Sequence, residues 1–240
     1  MQQFYLSHLS KNDKEVHFEK SESNHISRVL RKKVGDQITI TNGLGYRFSA
    51  NLSHVDHKAC TAVIRQYLKI SPEPYHLHVF IAPTKSIDRM EWFVEKATEI
   101  GVHGITPIIC QRSDRNVVKH ERLQKIAIAA MKQSLGAYLP IIHPACDFIT
   151  SLNKVKGRAC IAHCQDMDKI PIEKLSLKEK SISIFIGPEG DFTAKEIQAA
   201  ADSNFTSVTL GEKRLRTETA GIIACHSISL LYPKKTIFSV

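Results

Sequence analysis

The stretch Ile184-Phe-Ile-Gly-Pro-Glu-Gly-Asp-Phe192 decides how this chain is read. Apolar, β-prone residues run straight into a turn with two glycines, so a buried strand ends where the backbone is bare. Such a run is a core strand of an α/β sheet when strands and helices alternate around it. They do. Upstream, Arg158 to Cys164 reads as a strand and Ser181 to Ile186 as the strand that enters the glycine turn. Downstream, Thr193-Ala-Lys-Glu196 is a capping box that opens a helix, and Ser207 to Leu210 is a short strand. Thr217 then caps a last helix to Leu231, whose apolar residues lie nearly all round, so burial on several sides is expected.

The same rhythm extends toward the N-terminus. His76 to Ala82 is a strand, and Asp88-Arg-Met-Glu91 resembles a capping box. Met90, Phe93, Val94, Ala97 and Ile100 form a helical stripe that stops at Gly101, and Ile105 to Cys110 is the next strand. A helix from about Lys119 to Leu135 buries Leu123, Ile126, Ala127 and Ala130 and ends at Gly136. This alternation predicts an α/β domain with a mainly parallel sheet over residues 71–240. Residues 1–70 read differently: Gln37 to Thr41 alternates, Asn42-Gly-Leu-Gly45 is a turn, and Tyr46, Phe48 and Ala50 return as the second half of a hairpin. A third strand follows from Thr61 to Leu68. Ser71-Pro-Glu-Pro74 suits neither helix nor strand and marks the linker between two domains.

Composition narrows the functional classes. No apolar run reaches the length of a membrane span, and the N-terminal residues lack the pattern of a signal peptide, which predicts a soluble, cytoplasmic protein. The six cysteines are scattered through 240 residues, which predicts free thiols rather than a disulfide framework. Cys160-x-x-His163-Cys164 matches no common zinc spacing, so no metal is expected. A formal charge of +9 favours a polyanionic partner. Its densest cluster, Arg28-Val-Leu-Arg-Lys-Lys33, is expected on a short helix, where a merely solvated face is the alternative.

In open α/β sheets ligands sit beyond the carboxyl ends of the strands, where loops and helix N-termini offer backbone groups. Gly187-Pro-Glu-Gly190, Leu210-Gly211 and Leu215-Arg-Thr-Glu-Thr-Ala220 occupy such places and are predicted to form one pocket. Its glycines would leave N–H and C=O groups open to a ligand, and Leu210 and Leu215 would flank an aromatic ring. No phosphate-loop or dinucleotide fingerprint occurs.

The segments "FIGPEGDFTAKEI" and "LGEKRLRTETAGIIA" resemble the two signature segments of the RsmE family. These are S-adenosylmethionine-dependent methyltransferases acting on N3 of a uridine in 16S ribosomal RNA. The likeness extends to "HISRVLRKKVGDQITITNG", "KSIDRMEWFVEKATEIGVHGITPI" and "MKQSLGAYLP". It implies an N-terminal PUA-like β-barrel for RNA, a C-terminal SPOUT domain with a trefoil knot, a homodimer, and a substrate in the small ribosomal subunit. Carried onto this sequence, the cofactor set is His163, Ile186, Gly187, Glu189, Gly190, Leu210, Gly211, Leu215, Thr217, Thr219 and Ala220. His163 has a satisfied core histidine as its alternative. Arg216 and Glu218 are the catalytic candidates, the alternatives being a salt bridge from Arg216 to Glu189 or Glu218 and a helix-dipole role for Glu218. His25, Arg28, Arg31 and Lys32, with Lys85, Arg89, Arg112 and Arg115, are the RNA candidates.

The chain departs from the family at Asp191, where a Gly is common, and at Lys213-Arg214, where an Arg-Ile pair is common. It also carries Lys132-Gln-Ser-Leu-Gly-Ala137 where the family has Glu-Gln-Ser followed by Arg, so Arg112 or Arg115 would have to replace that arginine. Two other functions remain open: ribose 2′-O methylation by another SPOUT branch, and a non-catalytic role in RNA binding or ribosome assembly.

Overall fold

The structure is a computed structural model that describes residues 3–175 and 179–232. The outer ends of the two expected domains, residues 1–2 and 233–240, lie outside the described residues. The chain forms two compact units, one of Met1–Pro72 with Met131–Leu139, the other of Glu73–Ala130 with Pro140–Val240.

The first unit contains β1 (Gln3–Tyr5), β2 (Glu15–His17), α1 (Lys20–Asn24), β3 (Gln37–Thr41), β4 (Tyr46–His54) and β5 (Thr61–Lys69). The strands pair in the order β1-β3-β4-β5-β2 and curl into a half-barrel. The predicted hairpin is β3–β4, with Ile38 opposite Ala50 and Ile40 opposite Phe48. Alternation puts these four side chains on one face, where they pack with Phe4, Phe18, Ile26 and Leu52 as the unit's core. Bulges at Ser49/Ala50 and Leu52/His54 bend β4, the longer strands' means of curling. The short β1 and β2 carry too few residues to show a period, and the sequence reading missed both.

Helix geometry in this unit differs from expectation. A π-helical turn, His25–Val29, follows α1, and the chain leaves the helix before Arg31, whose φ is 51°. The basic cluster therefore straddles a helix end instead of lying along one helix face. The segment 131–139 packs within this unit, where Gln3 Nε2 donates to Gly136 O at 2.7 Å and Leu139 N to Gly43 O at 2.9 Å. Lys132, which stands where the family has Glu, pairs with Glu22 at 2.7 Å.

The second unit contains β6 (His76–Ile81), α2 (Ile87–Ile100), β7 (Gly104–Ile109), α3 (His120–Gln133, whose residues from Met131 on belong to the first unit), β8 (Ile141–Ile142), β9 (Cys146–Asp147) and α4 (Phe148–Leu152). It continues with β10 (Arg158–Ala162), β11 (Ile170–Pro171), β12 (Ser181–Ile186), α5 (Ala194–Asp202), β13 (Thr206–Thr209) and α6 (Thr217–Leu231). The sheet order is β11-β13-β10-β12-β6-β7-β8, with β9 also on β7, and every pairing is parallel. The deciding stretch is the central strand: Phe185 sits between Ile161 of β10 and Phe80 of β6. Both of its faces are covered, which is why it reads as a continuous apolar run. Phe80, Phe148, Phe185, Phe192 and Phe205 form an aromatic core around it, with the Phe80 and Phe185 rings stacked at 4.4 Å.

The Thr193–Glu196 capping box forms as read. The one expected at Asp88–Glu91 does not: Ser86 is the N-cap of α2 and no side chain caps it, although Gly101 closes the helix in the left-handed region at φ 106° as its position predicts. Thr217 does not cap α6 either. Arg216 occupies that place, and the Thr217 hydroxyl instead donates to Gly187 O at 3.0 Å. Helix α6 packs on β6, β12, α2 and the turn Ile172–Lys174, in accord with its all-round apolar pattern. Gly221 lets it approach so closely that an added Cβ would lie 2.5 Å from the Phe93 ring.

Histidines gather near the amino ends of β6 and β7. His78 Nε2 bonds Thr106 Oγ1 at 2.7 Å, its ring stacks on Phe80 and on His143, and Gly104 leaves it room. Burial, with His143, His76 and Lys156 nearby, lowers its pKa to about 3, and burial beside His76 lowers that of His103 to about 4. The unfolded chain takes up protons at these sites below pH about 6.5, and the folded chain does so only at lower pH. Stability is therefore complete above about pH 6.5 and falls as the pH drops toward the folded values. Equilibrium unfolding at a series of pH values should show His78→Gln reducing the pH slope near pH 5 by about 1.4 kcal/mol per pH unit; an unchanged slope would show that His78 is protonated in the native state.

Candidate active site

A cleft of about 640 Å³ opens at the carboxyl ends of β10, β12 and β13. The strands end together because they pair in parallel, and the loops that leave them make its walls: Ala162–Cys164 with Lys169, Ile186–Glu189 with Asp191, and the long segment Val208–Thr217 with Ala220. The three loops predicted to meet do meet. Of the expected cofactor residues, His163, Ile186, Gly187, Glu189, Leu210, Gly211, Leu215, Thr217 and Ala220 line the cleft, as does Arg216. Gly190, Thr219 and Glu218 are not among its lining residues.

The glycines have distinct reasons for being bare. At Gly187 a Cβ would stand 3.1 Å from the Phe192 ring, and at Gly190 it would meet the Arg112 side chain at 3.2 Å. The turn's own neighbours therefore fill the space that the sequence reading left for a ligand. Gly211 alone fits that expectation: it lines the cleft, nothing lies within 4 Å of its added Cβ, and its φ of 132° disfavours any side chain.

Carboxylates hold the loops in place. Asp191 adopts φ 60°, which gives a physical reason for Gly to suit this position. Its Oδ2 accepts from Cys164 N at 3.0 Å and its Oδ1 from Phe192 N at 2.9 Å, so the loop after β12 is tied to the loop after β10. Lys169 staples the same β10 loop by donating to His163 O at 3.3 Å and Gln165 O at 2.7 Å. Glu189 Oε1 accepts from Lys85 N at 2.9 Å. Glu218 is buried at the first turn of α6, with Oε1 3.7 Å from Arg89 Nε and Oε2 buried without a partner among the described residues.

His163 is 7% exposed. Its Nε2 meets Ser207 Oγ at 3.1 Å, while Nδ1 is buried and unpaired. Burial, reinforced by Lys169 and opposed by Asp191, moves its pKa down and keeps the ring neutral at neutral pH. Leaving that ring nitrogen buried and unpaired costs stability. Arg216, by contrast, is exposed at the α6 N-cap, and among the described residues its guanidinium makes no ion pair or hydrogen bond, so neither salt bridge weighed from the sequence is formed.

The basic candidates of this unit lie around the glycine turn. Arg112 Nη1 donates to Gly190 O at 2.9 Å, and Arg115 binds the carbonyls of Thr84 and Lys85. Lys85 lies 3.9 Å from Asp114, and Arg89 pairs with Glu218. In the other unit Arg28 and Arg31 are exposed, and His25 and Lys32 half-buried. Asp191 and Lys169 were missed as site residues. The Asp after the second glycine was a usable signal, since only a few residue types tolerate positive φ, but Lys169 carried none.

A family model described as an RNA methyltransferase domain matches residues 71–229, and one described as an RNA methyltransferase PUA domain matches residues 18–65. The ribosomal RNA small subunit methyltransferase E of Rickettsia conorii is 30% identical over 210 residues, 86% of each chain. This chain belongs to the RsmE family. Among solved RsmE-like structures, a probable rRNA-methyltransferase from Porphyromonas gingivalis matches at TM-score 0.88 and 34% identity, covering 97% of this chain and 98% of that one. An RsmE protein from Neisseria gonorrhoeae, solved with S-adenosylmethionine bound, matches at TM-score 0.87 and 27% identity with the same coverage. The α/β fold with a parallel sheet and a PUA-like first domain is thus that of the family.

Backbone conformation separates two substitutions at one RsmE position. Asp191→Gly suits φ 60°, whereas Asp191→Ala loses the same hydrogen bonds and keeps a Cβ that costs about 1 kcal/mol at this φ relative to Gly. Thermal unfolding should rank Gly above Ala here. Gly187→Ala should lower stability by about 1–3 kcal/mol through overpacking on Phe192. Equal melting of the two Asp191 variants would refute the strain.

Proposed function

We propose that this protein methylates N3 of a uridine in 16S ribosomal RNA, with S-adenosylmethionine as donor and the cleft beyond β10, β12 and β13 as the active site. The observation that carries the reading is Arg216, a cation on the wall of that cleft at the start of α6 with no partner among the described residues; Lys213 and Arg214 stand unpaired on the same wall, while Glu189 and Glu218 are held by other groups. The cleft also fits the cofactor. Ile186, Val208, Leu210 and Leu215 offer aliphatic surface to a purine, and Gly211 leaves backbone open.

Bound there, S-adenosylmethionine supplies an electrophilic methyl group. The chain's own residues have two tasks. They must place the uracil for in-line attack, which positioning accounts for, and favour the base as its N3 proton leaves. Arg216 serves the second by setting a positive charge where negative charge grows on the uracil oxygens. Glu218 belongs to the support of the site: its carboxylate engages Arg89 in the first turn of α6, where the helix dipole also favours a negative group. Arg28, Arg31 and Lys32 provide phosphate contacts, with His25 beside them and Lys85, Arg89, Arg112 and Arg115 near the glycine turn; such contacts position RNA without reading its sequence.

The remaining expectations of the family form part of the same proposal. Packing of α6 against the Ile172–Lys174 turn supports a threaded, knotted chain end. Exposed Leu230, beside half-buried Ile222 and Ile223, supports a homodimer that covers α6. No described helix is long and apolar enough to cross a membrane, and a ribosomal substrate fits a cytoplasmic site of action.

Calorimetry and nucleoside mass mapping test the reading together. Gly211→Val should weaken S-adenosylmethionine binding at least tenfold, about 1.4 kcal/mol. Arg216→Ala should leave that affinity unchanged and lower the methylation rate on the order of a hundredfold. Methyl label found on ribose O2′, or no binding of S-adenosylmethionine by the wild type, would overturn the proposal.

A further inference from the structure

A second cleft, of about 730 Å³, lies wholly within the first unit. Its apolar lining includes Phe4, Ile38 and Phe48, which belong to the buried core, together with the exposed Leu68. Tyr67 also lines it, 49% exposed, with its ring 6.2 Å from that of Phe48 and 6.0 Å from that of Tyr46. Polar groups surround this apolar lining; Gln37 Nε2 donates to Ser49 Oγ at 2.6 Å, and several others are not used by the protein. Among the described residues the Lys32 ammonium, the Thr39 hydroxyl, the Gln66 amide and the Tyr67 hydroxyl make no hydrogen bond or ion pair. Arg47 donates one guanidinium nitrogen to Leu135 O, but its Nε is buried with no partner.

This combination describes its occupant. An aliphatic chain or a lipid tail would cover the unpaired amide and hydroxyls and leave them unsatisfied. A simple anion would use Lys32 and Arg47 and ignore the tyrosine and the apolar lining. A flat heteroaromatic ring with donors and acceptors on its edge, carried next to a phosphate, uses all of them: a face for Tyr67, an edge for Gln66 and Thr39, and an anion for Lys32 and Arg47. Bases in a duplex are stacked and paired, so their faces are not free to enter. We infer that this cleft binds one unpaired nucleobase of the RNA, from a nucleotide other than the one that is methylated. The inference rests on the reading of the protein as acting on RNA, and adds to it a site that selects RNA with an unstacked base.

The test compares full-length protein binding to a short single-stranded oligouridylate and to an abasic ribose-phosphate oligomer of the same length, at fixed salt. The two probes carry the same charge and differ in their bases. Wild type should prefer the base-bearing probe by about fivefold or more, the range expected of one base stack. Tyr67→Leu and Gln66→Ala should each reduce that preference to about twofold or less, while binding of the abasic probe and of S-adenosylmethionine stays at wild-type strength. Tyr67 is half exposed, so the leucine variant keeps the fold, and Gln66→Ala gives a second reading from an exposed side chain. Equal affinity of wild type for the two probes, or a preference untouched by both substitutions, overturns the inference while leaving intact a methylation activity measured separately. Failure of the wild type to bind either probe overturns both this inference and the RNA reading it rests on.

Discussion

The second unit depends on the burial of β12 between two parallel neighbours. With β10 on one side and β6 on the other, Ile182 to Ile186 have no exposed face, and the strand can end only where the chain turns without side chains in the way. Gly187 provides that exit, and the Phe192 ring closes over it. Everything that forms the cleft follows from this turn. Thr217 reaches Gly187 O and fixes the start of α6, Asp191 reaches Cys164 and fixes the β10 loop, and Glu189 reaches Lys85 and fixes the segment before α2. One strand end thus anchors three loops through hydrogen bonds to the backbone.

The same bonds explain a division of labour among the charges of the cleft. Glu189, Asp191 and Glu218 are each engaged by the protein, so they act as structural ties. Among the described residues, the lining groups left without partners include the cations Lys213, Arg214 and Arg216 and the carboxylate of Glu212. A wall with more unpaired cations than unpaired carboxylates favours negative charge in the cleft. The unit that holds β1 to β5 shows a similar economy: Lys132 and Glu22 satisfy each other, while Lys32, Gln66 and Tyr67 remain open around a cleft.

Periodicity is a property of neighbours along the chain, so the long elements were legible. The hairpin register, the parallel sheet, the Gly101 stop and the Thr193 capping box all followed from local pattern. Errors came where a side chain answers to a distant group. Thr217 looks like a cap by its position before an apolar run, yet its hydroxyl is taken by a carbonyl thirty residues upstream. Arg31 belongs to a helical-looking basic run, but the π-helical turn ends ahead of it. Two-residue strands such as β8, β9 and β11 exist only because a neighbouring strand pairs with them.

The sequence by itself determined the α/β class and two of the cleft's three walls, the turn after β12 and the segment from Leu210, because each is written in contiguous residues whose spacing sets a period or a turn; the family was legible as a resemblance of whole segments. Tertiary structure alone decided which glycine faces open space and which is bare for the protein's own packing. Gly187 and Gly190 are identical in sequence terms to Gly211, and they differ only in what lies beyond their α-carbons: Phe192, Arg112 and open space. It also decided which charges are free, since Glu218 finds Arg89 and Glu189 finds Lys85 across many intervening residues, leaving Arg216 without either of them among the described residues. Distances of this kind arise from packing, and no local pattern contains them.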